Sequence, residues 1–480
     1  MSYDSEMISQ IIRPLRFAIP AWACLMTSLA HAGVTYTRDV LPILQEHCQV
    51  CHRPGGANLG GMVAPMAFTT YEDTRPWAKA IAKAAQSRTM PPWHASPAQH
   101  GQFANERTLT QLQIDTLVAW VRDGVLRGNP KDARAPKERP IAGDWLIGEP
   151  DLILKPDKPF FVEDGVQDVY AYLTTTMTEM LLPQDRIIKA IEIRPGSAAV
   201  HHIVAPPLGA LTPGNDPTVY PDGVGVLLKK GADITWQMHY HKEPGPGTGL
   251  WDNSVAAIKF YPIGAKVDHL VQGNDLGRYD FAIPPGAANY TATAEFLFTH
   301  DAQLVSFMPH FHLRGKSAKY EAVYPDGSRE VLLEVPKYDF NWQTTYAYKD
   351  FKKLPAGSKV VYTATWDNSA ANPNNPDPAQ TVRWGEPTTD EMMYGYLSFI
   401  DDSGEQKSFF DNANGVNGVD FTIVVALSDK DRDGKMNRLE APPSMATSFV
   451  LVDANSDGTI DMDEARAATQ TLRASRNGQP

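Results

Sequence analysis

Beyond Trp145 the chain is divided into short apolar or alternating runs, which are separated by Gly, Pro, Asn and Asp. Clear examples of these runs are 187–193, 234–240, 304–312 and 360–366. Runs of this length with turn residues between them are typical of β-strands, and no long helical periodicity interrupts them. We therefore expect one or two β-sandwiches. A division within 264–277 gives two antiparallel, jelly-roll-like domains, over 145–268 and 269–425.

The segment before this region has a different pattern. Apolar positions in 71–87 and 109–125 are spaced as on one face of a helix. The stretch 129–144 is polar and proline-rich, as interdomain linkers are. The pattern predicts an all-α domain over 33–128 that this linker joins to the β region.

Cys48, Cys51 and His52 form a Cys-x-x-Cys-His motif, the pattern of c-type haem attachment. The two thiols would bind the haem vinyl groups, and His52 would be one axial ligand of the iron. Met90, in a Met-Pro loop, is the expected second axial ligand. The alternatives for that position are Met62, Met66, His94 and His100. With these residues the segment resembles class I cytochromes c, which implies an all-α haem domain.

The first 32 residues have the layout of a secretory signal peptide. Arg13 and Arg16 precede an apolar run that ends in Ala30-His31-Ala32. The run is too short to span a bilayer. We expect export to the periplasm or the exterior, without stable membrane insertion after cleavage; an uncleaved anchor is the alternative.

The balance of charges excludes one class of partner. The formal net charge is −12, from 44 Lys and Arg against 56 Asp and Glu. Nucleic acid is not an expected partner, because phosphate contacts require a basic face. Of the 3 cysteines, Cys24 lies in the predicted signal peptide and two belong to the haem motif, so no disulfide is expected.

Histidines are grouped in the β region. Six of them form three tight groups: His201 with His202, His239 with His241, and His310 with His312. Residues i and i+2 of a strand share a face, whereas adjacent residues reach one metal only where the strand bulges or ends. Imidazole together with thioether suits copper, and Met392 lies in a polar stretch. The alternatives are surface histidine pairs and a core methionine.

Four motifs occur in the order found in the type II copper monooxygenases. They are Val200-His201-His202, Gln237-Met238-His239-Tyr240, His310-Phe311-His312 and Asp390-Glu391-Met392. Over roughly 145–425 the chain resembles this ascorbate-dependent family, which includes peptidylglycine α-hydroxylating and dopamine β-monooxygenases.

The resemblance implies two mononuclear copper sites in tandem β-sandwiches, and hydroxylation of a substrate C–H bond by dioxygen. The implied ligands of the electron-transfer copper are His201, His202 and His239, and those of the oxygen-binding copper are His310, His312 and Met392. Tyr396 matches a family tyrosine near the substrate. The implied partners are a small-molecule or peptide substrate, dioxygen and an external electron donor, whose electrons would enter through the haem.

The chain departs from the family in three ways. No disulfides are expected, whereas the animal enzymes carry several. Met308 stands two residues before His310, where the peptide hydroxylase has an arginine that binds the substrate carboxylate, so a C-terminal peptide glycine is not supported as the substrate. His241 is an additional candidate ligand that replaces or joins His239.

Two segments near the C-terminus match the twelve-residue EF-hand calcium loop, which has glycine at position six. The predicted ligands are Asp429, Asp431, Asp433, Lys435, Asn437 and Glu440 in the first loop, and Asp453, Asn455, Asp457, Thr459, Asp461 and Glu464 in the second. Lys435 and Thr459 would contribute their backbone carbonyls. These loops predict a calcium-binding EF-hand pair over 426–475.

Together these patterns predict an exported copper-dependent monooxygenase with a fused c-type haem and a calcium-binding tail. One alternative is a non-oxygenating haem and copper protein that only transfers electrons or binds copper. The other is a β-domain that binds zinc or another metal.

Overall fold

The computed structural model describes the following residues: 33–54, 64–137, 144–403, 420–442, 445 and 448–476. The predicted signal peptide, Met62 and residues 138–143 of the predicted linker lie outside the described residues. Within these described ranges no helix has the length and apolar character needed to cross a membrane.

The N-terminal part contains short helices. The α-helices are α1 (Leu41–Ile43), α2 (Tyr71–Thr74), α3 (Ala78–Gln86) and α4 (Gln111–Arg122). Two π-helical turns, Tyr36–Val40 and Leu44–Cys48, flank α1. Single 3-10 turns lie at Arg75–Trp77, Pro97–Gln99 and Pro130–Asp132.

Helix α4 begins at a capping box. The Thr110 hydroxyl accepts a hydrogen bond from the Gln113 backbone N–H, and the Gln113 side chain accepts one from the Thr110 N–H. Leu117 and Trp120 of α4 are buried in the same apolar cluster as Leu44, which lies on the helical turn that ends at Cys48. This cap and this apolar face hold α4 on the helical turns that carry Cys48.

The β region follows. The strands of its first half are β1 (Leu152–Leu154), β2 (Phe160–Val162), β3 (Asp168–Thr175), β4 (Arg186–Arg194), β5 (Val200–Val204), β6 (Ala210–Leu211), β7 (Thr218–Val219), β8 (Val224–Leu228), β9 (Ile234–His241), β10 (Leu250–Asp252) and β11 (Val255–Phe260). The strands of its second half are β12 (His269–Gly277), β13 (Ala282–Ile283), β14 (Tyr290–Leu297), β15 (Ala302–His310), β16 (Gly315–Val323), β17 (Arg329–Val335), β18 (Tyr346–Leu354), β19 (Lys359–Trp366), β20 (Val382–Arg383) and β21 (Tyr394–Asp401).

Three sheets position the histidines. A long sheet has the order β1-β11-β4-β8-β12-β21-β15-β18, with β7 beside β4. Two four-stranded sheets have the orders β3-β9-β5-β6 and β14-β19-β16-β17. Strands β8 and β12 pair in parallel, where His269 lies opposite Val224 and Leu270 opposite Gly225. This contact joins the two halves within one sheet.

Each half has an apolar core, and strand alternation decides which side chains enter it. In β9, Trp236, Met238 and Tyr240 are fully buried in the core of the first half. His239 and His241, which alternate with them, project from the opposite face of the same strand. The two histidines of β9 therefore lie outside the apolar core, on the face of the β3-β9-β5-β6 sheet that meets the second half.

The predicted fold class, an all-α cytochrome c-like domain, then two antiparallel, jelly-roll-like β-sandwich domains and an EF-hand pair, is wrong, because it begins with an all-α domain. The structure is mostly β, with 34% strand and 18% helix, and its described residues contain no all-α domain at the N-terminus. Ala95 and Phe103, inside the predicted haem domain, are buried in the core of the second half. Phe103 also forms an antiparallel bridge with Tyr348.

The physical reason is that helical periodicity identifies an apolar face and does not identify what that face packs against. Residues between α3 and α4 find their partners on the β region, where the Ser96 N–H donates to the Glu334 carbonyl at 2.8 Å. The two halves of the β region also share one sheet, since β8 of the first half pairs with β12 of the second.

The C-terminal unit contains two short strands and three helices: α5 (Phe421–Ser428), β22 (Lys435–Asn437), α6 (Phe449–Val452), β23 (Thr459–Asp461) and α7 (Met462–Arg476). Strands β22 and β23 pair antiparallel, with Met436 opposite Ile460, and both side chains are fully buried. The two acidic loops are therefore joined back to back.

Candidate metal centre between the two halves

The first group of imidazoles is His201, His202 and His239. The register between β5 and β9 shifts between Val200 and His202, and this irregularity allows both adjacent histidines to face His239. The Nδ1 atom of His202 lies 3.2 Å from Nδ1 of His201 and 3.4 Å from Nδ1 of His239. One potential ligand atom from each residue lies within 4.8 Å of the other two.

Burial keeps His201 and His202 neutral. His202 and His239 are 2% and 0% exposed. Burial, reinforced by the neighbouring imidazoles, lowers the pKa of His201 to about 3 and the pKa of His202 well below its usual value. A neutral imidazole has a lone pair to give, so His201 and His202 are available as metal ligands. Their Nδ1 atoms converge with that of His239, and the three together form a candidate ligand set.

Asp168 orients His239. The Asp168 carboxylate accepts a hydrogen bond from Nε2 of His239 at 2.6 Å, which leaves the lone pair on the Nδ1 atom that faces His202. Thr388 of the second half donates to the other carboxylate oxygen. Burial by itself would raise the pKa of Asp168, but the hydrogen bond from His239, together with those from Thr388, lowers it to about 2.

Asp168→Asn is expected to weaken copper binding at the first imidazole group by about 10- to 100-fold, because the carboxylate that fixes the His239 ring is lost. The measurement is copper affinity by competition with a chromophoric chelator. Asp164→Asn is the control, since Asp164 accepts hydrogen bonds from Gly247 and Gly249, away from the histidines. Equal affinities of the two variants would contradict this role.

The second group consists of His310 and His312, whose ring centroids are 5.4 Å apart. Nδ1 of His310 lies 2.8 Å from Oε1 of Gln343, and Nδ1 of His312 lies 3.3 Å from the Asp390 carbonyl. A carbonyl oxygen only accepts, so His312 donates from Nδ1 and keeps its lone pair on Nε2. Within the described residues, this buried Nε2 has no hydrogen-bond partner.

An unpartnered buried nitrogen is costly, and a metal ion is one partner that would satisfy it. Burial lowers the pKa of His310 to about 4, although its contact with Gln343 opposes the shift, and it lowers the pKa of His312 well below its usual value. Both rings are therefore neutral at physiological pH and available as ligands.

Met392 is buried, at 3% exposure, in the apolar core of the second half. Its chain neighbours on both sides contact the histidine segment. On one side, Glu391 accepts the His312 N–H at 2.9 Å. On the other, Tyr394 lies opposite His310 in the β15–β21 register. These contacts bring the Met392 backbone to the segment that carries both imidazoles.

Glu391 organises this segment. Its carboxylate accepts the N–H groups of His312 and Arg314 at 2.9 and 2.7 Å and the Trp366 indole N–H at 3.0 Å. Glu391 is 0% exposed. Burial raises its pKa to about 7, although these three donors and the Arg314 charge oppose the shift.

Glu391→Ala is expected to lower the free energy of unfolding by at least about 3 kcal/mol, because three buried N–H donors lose their acceptor at about 1–3 kcal/mol each. Urea denaturation measures the loss. Glu295→Ala, which removes a carboxylate paired at the surface with Lys359, is the control and should change stability by less than about 1 kcal/mol. A loss no larger than that of the control would contradict the assigned role.

The two imidazole groups adjoin each other. The ring centroids of His202 and His310 are 5.3 Å apart. Phe340 stacks on His201 with ring centroids 4.6 Å apart, and its centroid is 6.0 Å from that of His312. The five imidazoles of the two groups therefore form one continuous layer at the interface between the two halves.

Two further predicted site residues are His241 and Tyr396. His241 is exposed at the end of β9, and it does not belong to the group of three converging ligands. Tyr396 lies on β21 opposite Met308 of β15, and its ring stacks on Tyr394 with centroids 5.4 Å apart. Burial raises the pKa of Tyr396 well above its usual value.

The predicted haem residues form a tight turn. The N–H groups of Cys51 and His52 both donate to the Cys48 carbonyl, at 3.2 and 2.9 Å. Burial raises the pKa of the Cys48 thiol to about 12. Nδ1 of His52 donates to the Met66 carbonyl at 3.1 Å, so its lone pair is on Nε2, as an axial iron ligand requires.

The candidates for the second axial position lie in different surroundings. Met90 is 40% exposed on the loop after α3. Met66 packs against the helical core, and His100 contacts Glu106 at 2.7 Å. His94 is partly buried, and its Nδ1 has no hydrogen-bond partner among the described residues.

In the first acidic loop, carboxylate oxygens of Asp429, Asp431 and Asp433 lie within 4.8 Å of one another. Asp429 accepts the Gly434 N–H at 2.8 Å, and Glu440 accepts the Asn437 N–H at 2.9 Å. The second loop repeats both contacts: Asp453 accepts from Gly458 at 3.2 Å and Glu464 from Asp461 at 3.1 Å. Both loops are thus closed in the same way around their acidic side chains.

The sequence did not identify Asp168 or Gln343 as parts of the site. Asp390 and Glu391 were quoted only as the residues that precede Met392 in its motif, without a role of their own. Gln343 has no signal in the sequence, because it lies 33 residues from His310 in a loop without a recognisable motif.

No protein-family model matches the chain, and no curated protein does. Among solved structures, the chain is similar to the STIV MCP at 8% identity and a TM-score of 0.19, over 45% of this chain and 95% of that one. It is similar to a Paenibacillus xanthan lyase at 10% identity and a TM-score of 0.15, over 57% of this chain and 28% of that one. Similarities this low support no argument about function.

Proposed function

We propose that the chain is an exported copper-dependent monooxygenase that hydroxylates a substrate C–H bond with dioxygen. The observation that carries the proposal is the buried layer formed by His201, His202, His239, His310 and His312. Met392 directly follows the two residues that contact His312. Neutral imidazoles with a thioether are ligands that suit copper in both oxidation states.

The residues present fit two metal ions. One ion would be held by the Nδ1 atoms of the first imidazole group. The other would be held by Nε2 of His310 and His312 together with the sulfur of Met392. Copper bound in these places would supply electrons and activate dioxygen.

The chain's own groups prepare these ligands. Asp168, Gln343 and the Asp390 carbonyl each contact the ring nitrogen that faces away from the proposed metal, and they hold the ring in one orientation. Phe340 covers His201 and limits the access of water from that side. These contacts preorganise both ligand sets, which reduces the conformational cost of binding a metal.

We also propose that Cys48, Cys51 and His52 bind a c-type haem and that the two acidic loops bind calcium. The haem would supply an entry point for electrons from an external donor. The His52 hydrogen bond to Met66 and the tight turn that closes on the Cys48 carbonyl support the first assignment, and the paired, closed loops support the second.

The test is incorporation of isotopically labelled dioxygen. The copper- and haem-loaded protein is supplied with a reductant, ¹⁸O₂ and a mixture of small molecules and peptides, and products are detected by untargeted mass spectrometry. One labelled oxygen atom in a hydroxylated product is expected. Oxidation and reduction of copper and haem without any labelled product would instead support the non-oxygenating electron-transfer alternative.

A further inference from the structure

The first acidic loop, 429–440, contacts the turn 383–391 of the β region at two points. Nη1 of Arg432 donates to Oδ1 of Asp390 at 3.0 Å. Gly434, at φ +89°, lies against the Arg383 side chain, where an added Cβ would be 2.8 Å from the guanidinium carbon. The glycine at position six of the loop is therefore needed both for the loop's own turn and for this close contact.

The turn itself is closed by its own hydrogen bonds. The Gly385 N–H donates to the Glu391 carbonyl at 3.1 Å, and the Glu391 N–H donates to the Arg383 carbonyl at 3.1 Å. The Asp390 carboxylate lies directly over Gly385, in space that a Cβ would fill. A displacement of Asp390 therefore displaces the turn as a unit.

The far side of the same turn holds His312. The Asp390 carbonyl accepts from Nδ1 of His312, and the Glu391 carboxylate accepts from its backbone N–H. Met392 follows directly in the chain. One turn therefore separates the first acidic loop from the second imidazole group, and it contacts both.

Arg432 depends on the loop for its direction. Its φ is +62°, in the left-handed region that residues other than glycine rarely adopt. Ser456 has φ +57° at the same position of the second loop, so loop closure imposes this conformation. If the loop opened, Arg432 would leave this conformation and no longer point at Asp390.

We propose that calcium bound in loop 429–440 raises the copper affinity of the His310 and His312 site, and that Arg432 is the positioning residue that couples the two. The inference rests on the proposed function, because it assumes a metal at that site. Calcium would hold the mutually repelling carboxylates of the loop together, keep Arg432 on Asp390, and so hold the carbonyl that orients His312.

A second anchor keeps the C-terminal unit attached when Arg432 is changed. Arg466 of α7 donates to Asp280, which also pairs with Arg278 at 2.5 Å. This anchor lies on a different side chain and a different element from the turn. Substitution of Arg432 therefore changes the coupling contact without removing the other attachment.

The experiment measures Cu(I) affinity in the full chain carrying His201→Ala and His239→Ala, so that only the second group reports. We expect calcium to tighten binding by about 3- to 10-fold, less than the 10- to 100-fold typical of groups that touch a ligand directly. Arg432→Gln should abolish the calcium response, and Arg432→Lys should restore part of it. Lys430→Gln removes the same charge two positions away and should keep the full response.

Each outcome has one meaning. Copper binding with no calcium response, or a full response in Arg432→Gln, overturns the coupling and leaves the proposed function intact. Absence of copper binding in this background overturns both. Thermal unfolding of each variant shows whether a lost calcium response reflects a lost fold. If Arg432→Gln has lost its fold, the calcium response of Arg432→Lys, which keeps the charge, tests the coupling instead.

Discussion

Replacing His310 and His312 together with alanine is expected to reduce bound copper from two ions to one per chain and to abolish substrate hydroxylation. The reason is that Met392 would be the sole remaining ligand of its group, and a thioether alone is a weak ligand. The first group keeps all three of its imidazoles and the Asp168 contact that orients His239. Copper content after gel filtration and ¹⁸O incorporation measure the two effects.

The matched control replaces His269 and His300, two histidines of the same half that lie outside the buried layer. His300 is half-exposed near Asp401, and His269 lies at the start of β12. This control should retain both copper ions and full activity. Retention of both ions by the His310 and His312 variant would contradict the assignment of the second group.

The other large effect is expected at the haem motif. Wild-type protein produced together with a c-type haem maturation system should carry haem that remains bound after denaturation, and Cys48→Ser with Cys51→Ser should carry none. The thioether bonds require both thiols, and serine oxygen does not form them. Haem staining of a denaturing gel and the intact mass measure the attachment.

Met90→Leu separates attachment from axial ligation. If Met90 is the axial ligand, the variant keeps its covalent haem and loses the absorption feature of iron–thioether ligation. Wild-type protein that carries no haem under these conditions, and instead forms a Cys48–Cys51 disulfide, would contradict the haem assignment.

The sequence indicated the histidines of the site more fully than the groups that orient them. His201, His202 and His239 were grouped from spacing and from the order of motifs, and the structure brings their Nδ1 atoms together. Asp168 lies 71 residues from His239 and reaches it through the pairing of β3 with β9. Such contacts depend on strand register, which a single sequence does not specify.

The N-terminal prediction failed for a related reason. Apolar spacing located α3 and α4, yet it gave no sign that Phe103, between them, would enter the core of the second half. The closeness of the two imidazole groups was also not predictable, because His202 and His310 belong to different halves and meet only through the interface. Local patterns therefore identified elements and ligands, whereas the contacts between elements required the structure.

The central claim is that these imidazoles and Met392 hold two copper ions. The most direct test is anomalous diffraction at the copper edge from crystals of copper-loaded protein. Two peaks are predicted, one within bonding distance of the Nδ1 atoms of His201, His202 and His239, and one within bonding distance of His310, His312 and the Met392 sulfur. A copper peak absent from either place, or a Met392 sulfur far from the second peak, would contradict the account.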